Sequence, residues 1–363
     1  MSRERKTNED RKLDHIKIIT EGGMQSSHNW MDDVYLHPDA IPAVDLADID
    51  ISAQLFGCKF NAPFYVAAMT GGHPKSKKIN EVLARACAKA NIPMGVGSQR
   101  AALNNHEVVD TFKIARDVSD SLFLVANMGM SQIVKSRSPV DTAKECIEMI
   151  EANAIAIHFN KLQELMQPEG DRKFSKVMDI IEAIESELGI PVIIKEVGMG
   201  FSRSDYEILR GYKVAAVDTG GFGGTNFTMV EAVRVDEDSY PYTRNLGKTF
   251  QDCGTPTPVS IMLAKKYTGF SIIATGGIRT GLDIVKALCL GADMAGLAYP
   301  FLMAALNDLK MTGDMVSIDA CTKEIETIKA EIKTAMCLLN ARRVGDLDDS
   351  QVHVSADLSQ WIE

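Results

Sequence analysis

The sequence contains no apolar run near the ~18 residues that a bilayer-spanning helix needs, so it does not read as a membrane protein. It has no excess of cations. Lys and Arg total 39 against 49 Asp and Glu, a formal net charge of −10, which argues against nucleic acid as a partner. It has no CxxC pair, and its seven cysteines are odd in number. Several of them fall inside apolar patterns, where a free thiol packs as a small hydrophobe, and this usage predicts a reducing cytoplasm. The opening stretch, Met1 to Asp14, lacks the apolar segment of a secretory signal, and four acidic residues interrupt the basic ones a transit peptide would need. HExxH and GxSxG are absent, which removes the commonest zinc-protease and serine-hydrolase readings. There is no internal repeat and no low-complexity tract.

What is present is a recurring structural unit. Short apolar runs rich in β-branched residues begin near Pro63, Pro93, Leu122, Ala154, Pro191, Val214, Ser271 and Ala292. Each is continuously apolar, as a strand buried on both faces must be. Between them lie helical stripes such as Ile79, Val82, Leu83, Ala86 and Cys87, stopped at Asn91, and Leu282, Val285, Leu288 and Cys289, closed by Gly291. Eight strands in βα spacing predict a (β/α)8 TIM barrel rather than a doubly wound sheet, whose first strand would lead into GxGxxG and not MTGGHP. The expected organisation is an N-terminal arm over the barrel mouth (1–62), the barrel (63–302), and C-terminal helices with an acidic, mobile tail (303–363). One interval, Asp218 to Ser271, is too long for a plain βα unit and reads as a functional loop.

In such a barrel the chemistry lies at the C-terminal strand ends. Those ends carry Met69-Thr70, Ser98-Gln99-Arg100, Asn127, His158 with Asn160, Lys195, Asp218, Gly276-Gly277-Ile278-Arg279 and Ala298-Tyr299. Turns alone explain the glycines but not a Lys ending an apolar strand. The adjacent glycine-rich loops Gly220–Thr225 and Thr275–Gly281 predict a phosphorylated cofactor, held by backbone N–H groups, a helix N-terminus and Arg279. Lys195 reads as a solvent-reaching lysine, a flavin contact or a Schiff-base amine, with flavin contact ahead. A carboxylate in the 164–171 loop could ligate Mg²⁺, while Glu169 and Asp171 read as solvated surface. Arg11, Lys12 and His15 matter if the arm folds over the mouth, where they would join Arg100 in an anion site.

The set RKLDH, AAMTGG, GSQR, NMG, HFNKLQE, PEGDR, VIIKEVG, DTGGFGGTNF and GGIRTGLDIVKALCLGAD resembles type 2 isopentenyl-diphosphate isomerase, in order, from about Arg11 to Pro300. The resemblance implies an FMN-binding barrel that interconverts isopentenyl and dimethylallyl diphosphate, with NADPH to keep the flavin reduced and Mg²⁺ on the diphosphate. It implies flavin contacts at Ala68, Met69, Thr70, Ser98, Asn127, Lys195 and Thr225. The FMN phosphate would lie at Gly277, Ile278, Arg279, Ala298 and Tyr299. Substrate would lie among Arg11, Lys12, His15, Ser98, Gln99, Arg100, His158, Asn160 and Gln163, with Gln163 and His158 nearest the chemistry and Glu164 on Mg²⁺. A homotetramer or homo-octamer is also implied. Phe227 and Gly220 depart from the family's usual Trp and Ser. The closest rival is an FMN barrel of the 2-hydroxy acid oxidase type, but that chemistry needs a late strand-end His, and none occurs between His158 and His353.

Overall fold

The computed structural model describes residues 8–168, 170–235, 240–311 and 316–362. Eight parallel strands close into a barrel in chain order. They are β1 (Phe64–Val66), β2 (Met94–Gly95), β3 (Leu124–Gly129), β4 (Ala154–Phe159), β5 (Val192–Glu196), β6 (Ala216–Asp218), β7 (Ser271–Ala274) and β8 (Met294–Leu297). All eight lie where the apolar runs predict them. Their alternate residues serve two cores, which is why the runs are continuously apolar. Phe64, Val66, Leu124 and Ile194 face the surrounding helices, whereas Tyr65, Val125, Ala156, Ile193 and Ile273 pack with one another in a separate cluster.

That second cluster also contains Ala53, Leu55 and Phe60 from a hairpin, Ala53–Leu55 against Cys58–Phe60. The Phe60 ring meets Phe123, just before β3, edge-on at 5.4 Å. The hairpin therefore packs on the barrel interior, so residues 1–62 do more than cover the mouth. The helix Pro74–Ala90 ends as expected at Asn91, whose left-handed backbone (φ 50°) closes it. The stripe on Gly281–Cys289 is partly corrected: Leu282 is exposed, and Ile284 takes its place in the core.

The C-terminal stretch is not a loose tail. Val352–Val354 pairs antiparallel with Val34–Leu36, and Leu358 is buried. Segments far apart in the chain thus pair with each other beside the barrel. No described helix is long and apolar enough to cross a membrane.

Candidate active site

The C-terminal strand ends and the helix Asn8–Glu21 enclose one cavity of ≈ 160 Å³. Lys12, His15, Ile16 and Ile19 reach it from the helix, so the arm does lie at the mouth. The side chain of Arg11 lies outside the described residues. From the barrel come Ala68, Met69, Thr70, Ser98, Arg100, Asn127, His158, Asn160, Gln163, Glu164, Lys195, Thr225, Ala298 and Tyr299. Apolar Ile16, Ile19, Phe227 and Leu302 complete the wall.

At the floor, Lys195 Nζ lies 2.7 Å from Asp218 Oδ2 and 3.3 Å from Thr275 Oγ1. The Tyr65 hydroxyl donates to the same Asp218 oxygen at 2.5 Å. Burial first, and then the Asp218 charge, push the Tyr65 phenol far above its ordinary range, so it stays a donor. The Lys195 amine is thus engaged by both Asp218 and Thr275.

Behind Thr225 and Tyr299, which line the cavity, two glycine loops pack against each other. Gly223, Gly276 and Gly277 have φ values of 134°, 103° and 80°, which side-chain-bearing residues rarely adopt. A Cβ on Gly224 would stand 2.5 Å from the Gly277 nitrogen, so the two glycine loops touch as the sequence suggests. Asn29 Nδ2 donates to the Gly277 carbonyl at 3.0 Å. Arg279 lies 5.4 Å from the Tyr299 ring centre and donates to Gln25 Oε1. Burial lowers its pKa, opposed by Asp283 and Tyr299. Gln25 Nε2 also reaches Thr225 Oγ1 at 3.4 Å, so the arm ties both loops together. Sequence reading gave Gln25 and Asn29 no role. Ile278 is buried and, like Gly277, does not line the cavity. The expected helix N-terminus is also corrected. The first N–H groups of Gly281–Cys289 are taken by Asp283 (Thr280 N, 3.1 Å) and Glu331 (Gly281 N, 2.6 Å). The donors near the cavity on this side start the helix Tyr299–Met311 instead.

The polar cavity wall around His158 and Glu164 is built from side chains. His158 Nδ1 lies 2.7 Å from Asn127 Oδ1. Gln99, expected at the substrate, is fully buried behind the wall. Its Nε2 donates to the Cys146 carbonyl at 2.8 Å and its Oε1 accepts the Asn127 N–H at 2.9 Å. It therefore orients Asn127, and through Asn127 the His158 ring. Gln163 Nε2 donates to Glu231 Oε1 at 2.9 Å, and Asn160 Nδ2 lies 3.3 Å from Gln163 Oε1. Glu231 is fully buried. Its carboxylate also accepts from Gln167 Nε2 (2.7 Å) and Arg234 Nε (2.7 Å), and His15 Nε2 stands 2.9 Å away as an ion-pair partner. Burial pushes this carboxyl up, but His15, Arg234 and Gln163 outweigh it and hold the group well below the usual carboxylate range. Sequence reading gave Glu231 no role. The signal it passed over was Arg234, one helical turn away.

Glu164 is 4 % exposed. Its Oε2 accepts the Asp171 N–H at 2.7 Å, its Oε1 lies 3.4 Å from Asn160 Nδ2, and Arg100 Nη1 is 3.9 Å away. Asp171 is buried at 7 % exposure, which corrects its reading as solvated surface; Glu169 lies outside the described residues. Two buried oxygens here, Asn160 Oδ1 and Asp171 Oδ2, have no hydrogen-bond partner among the described residues. Both departures from the family's pattern have local reasons. A Cβ on Gly220 (φ 47°) would stand 1.9 Å from the Glu196 carbonyl, and the Phe227 ring meets His15 edge-on at 6.1 Å.

Residues 18–111 and 142–354 match the model of the FMN-dependent dehydrogenase family. Among curated proteins, the chain is 39% identical over 353 residues to an isopentenyl-diphosphate delta-isomerase of Archaeoglobus fulgidus, covering 97% of this chain and 98% of that one. It is 40% identical over 355 residues to one of Methanoregula boonei (97% and 96% covered). A protein of the same name from Pyrobaculum islandicum is 40% identical over 357 residues, with 97% of each chain covered. Among solved structures, a flavocytochrome b2 variant with sulfite bound superposes with a TM-score of 0.66 at 19% identity (96% and 84% covered). A mandelate oxidase variant with an FMN adduct gives 0.58 at 15% (96% and 92% covered). At such identities these structures speak for the barrel fold alone.

Proposed function

The chain belongs to the isopentenyl-diphosphate delta-isomerases of the FMN-dependent dehydrogenase family, and from that premise we propose that it interconverts isopentenyl and dimethylallyl diphosphate with FMN, NADPH and Mg²⁺. The observation that carries this reading is the lining of the cavity. Lys12, Arg100, His158 and Glu164 share it with apolar Ile16, Ile19, Phe227 and Leu302, while Thr225 and Tyr299 open onto the glycine loops behind them. The apolar residues suit a five-carbon chain, the charged ones a diphosphate, and the glycine loops a flavin phosphate.

The residues present fit both groups. The glycine cradle, where a Cβ would collide, suits close approach of a phosphate, and Arg279 adds charge. Buried Glu164, beside an unpartnered Asn160 oxygen, suits a hard cation. Ala68, Met69, Thr70, Ser98, Asn127, Lys195 and Thr225 would hold the flavin ring, with Ala298 and Tyr299 at its phosphate. Bound and reduced, FMN supplies an electron-rich face against a cationic carbon skeleton and a proton at N5.

The chain's own residues do the rest. Lys12, Arg100 and His158 bind the diphosphate, and its binding energy holds an otherwise featureless alkene in place. Ile16, Ile19 and Phe227 exclude water, which would trap a tertiary carbocation. Gln163 is pinned between Asn160 and Glu231, so its amide presents one face to the hydrocarbon end. An amide is no strong base; Gln163 orients a proton, and Glu231 keeps that orientation.

The test is direct. The purified protein should carry an FMN spectrum, bleach with NADPH under anaerobic conditions, and then convert isopentenyl diphosphate plus Mg²⁺ to dimethylallyl diphosphate by NMR. Product should form catalytically, with no NADPH consumed beyond the initial reduction. A protein that binds no FMN, or that consumes NADPH in step with substrate, overturns the reading.

A further inference from the structure

We propose that Asp171 is a positioning residue for the divalent cation, holding a metal-bound water through its unpartnered carboxylate oxygen. The inference rests on Glu164 being the cation's ligand, as proposed above, and extends the site to a residue that the family resemblance does not assign.

The argument starts from burial. A carboxylate oxygen buried without a donor is costly and uncommon in a folded protein. Asp171 Oδ2 is such an atom. The other oxygen, Oδ1, is paired with Lys135 Nζ, a side chain that is mostly exposed. The same residue's backbone N–H is 2.7 Å from Glu164 Oε2, so its carboxylate stands within one side chain's reach of the Glu164 carboxylate. On the other side of Glu164 sits Asn160, whose Oδ1 is equally buried and unpartnered. Two orphaned acceptors therefore flank one buried carboxylate.

The loop is built to keep Asp171 there. Arg172 Nη1 donates to the Glu164 carbonyl and Arg172 Nη2 to the Gln167 carbonyl at 3.0 Å. A Cβ on Gly170 would stand 2.0 Å from the Glu164 carbonyl oxygen, so this close turn needs glycine. Among the described residues no three His, Cys, Asp or Glu side chains converge as a metal cage. A cation bound here must keep most of its water, as Mg²⁺ prefers to do. Those waters are donors, and Asp171 Oδ2 and Asn160 Oδ1 are acceptors in want of them. Such outer partners orient a metal site, and their loss commonly weakens metal affinity by about 10–100-fold.

The experiment measures Mn²⁺ binding by electron paramagnetic resonance, on FMN-loaded protein with inorganic pyrophosphate, so it needs no turnover. Asp171→Asn should weaken Mn²⁺ binding about 10-fold or more while FMN affinity stays unchanged. In turnover it should raise the Mg²⁺ concentration needed for half-maximal rate, with kcat recovering at saturation. Lys135→Met should tighten Mn²⁺ binding, because an ammonium on the same carboxylate opposes the cation. Unchanged Mn²⁺ affinity in Asp171→Asn overturns the proposal. Equal weakening in Lys135→Met also does so, since the ion pair would then act only by bracing the loop. If Asp171→Asn fails to hold FMN, the sign of the Lys135→Met effect still decides. Glu164→Gln separates the two readings: if it retains Mn²⁺, the cation site itself is misassigned, whereas its loss of Mn²⁺ beside an unaffected Asp171→Asn sinks only this inference.

Discussion

The side-chain end of the site and the glycine end that lies behind the cavity wall are made in opposite ways. At the glycine end, Gly223, Gly224, Gly276 and Gly277 bring backbone against backbone, and only Arg279 contributes charge. At the other end almost every contact is a side chain, and Glu231 gathers four of them from the arm and from two helices. The first arrangement is rigid and tolerates no added atom. The second depends on charges that must all be present, because a buried carboxylate is stable only when paired.

The largest effect should follow from breaking the side-chain end. Glu231→Gln leaves Arg234 and His15 buried without their anion. Stability should drop by about 3–5 kcal/mol, read by denaturant unfolding, and kcat should fall about 100-fold or more as Gln163 loses its orientation. FMN affinity of the folded fraction should hold. If FMN affinity falls in proportion, the two ends are not separate.

Breaking the glycine end should do the reverse, with a smaller effect. Gly277→Ala places a methyl 2.5 Å from Asn29 Oδ1 at a backbone φ of 80°. The strain is on the order of 1–3 kcal/mol. FMN affinity, read by flavin fluorescence, should weaken about 10-fold or more, while Mn²⁺ binding with pyrophosphate stays as in the parent.

The smallest effect concerns Glu196, which ends β5 and lies outside the cavity lining. Its Oε2 accepts the N–H groups of Val197 and Met199 at 2.6 Å each and of Gly200 at 3.1 Å. Burial raises its carboxyl to about 7, although these backbone bonds pull the other way. A raised carboxyl favours folding while protonated. Its contribution is full below the ordinary carboxylate range and is lost as pH climbs to about 7. Glu196→Gln should flatten that part of the stability profile, seen as a smaller fall in Tm between acid and neutral pH. An unchanged profile would mean that another group carries it.

Much of the fold could be read in the chain because its signals are local. A strand buried on both faces must be apolar throughout, so eight such runs at βα spacing name the barrel. The Gly220–Thr225 and Thr275–Gly281 loops announce a backbone that must pass close to something. The runs HFNKLQE and PEGDR carry enough side-chain chemistry to mark the polar end. Reading failed where a residue's environment comes from far along the chain. Asp171 looks like solvated loop until Arg172 and Gly170 fold it against Glu164. Gln99 looks like a ligand contact until Cys146 and Asn127 claim its amide. The acidic C-terminus looks loose until Val34–Leu36 offers it an edge to pair with.

The sequence by itself therefore determined the architecture, since apolar periodicity acts over neighbouring residues, and its motifs carried the resemblance that points to the family and its flavin. Only the tertiary structure decided which charges meet. Gln163 and Glu231 are 68 positions apart, Lys195 and Asp218 are 23, and Tyr65 and Asp218 are 153. A hydrogen bond works over about 3 Å, and closing the barrel is what brings those atoms to that distance.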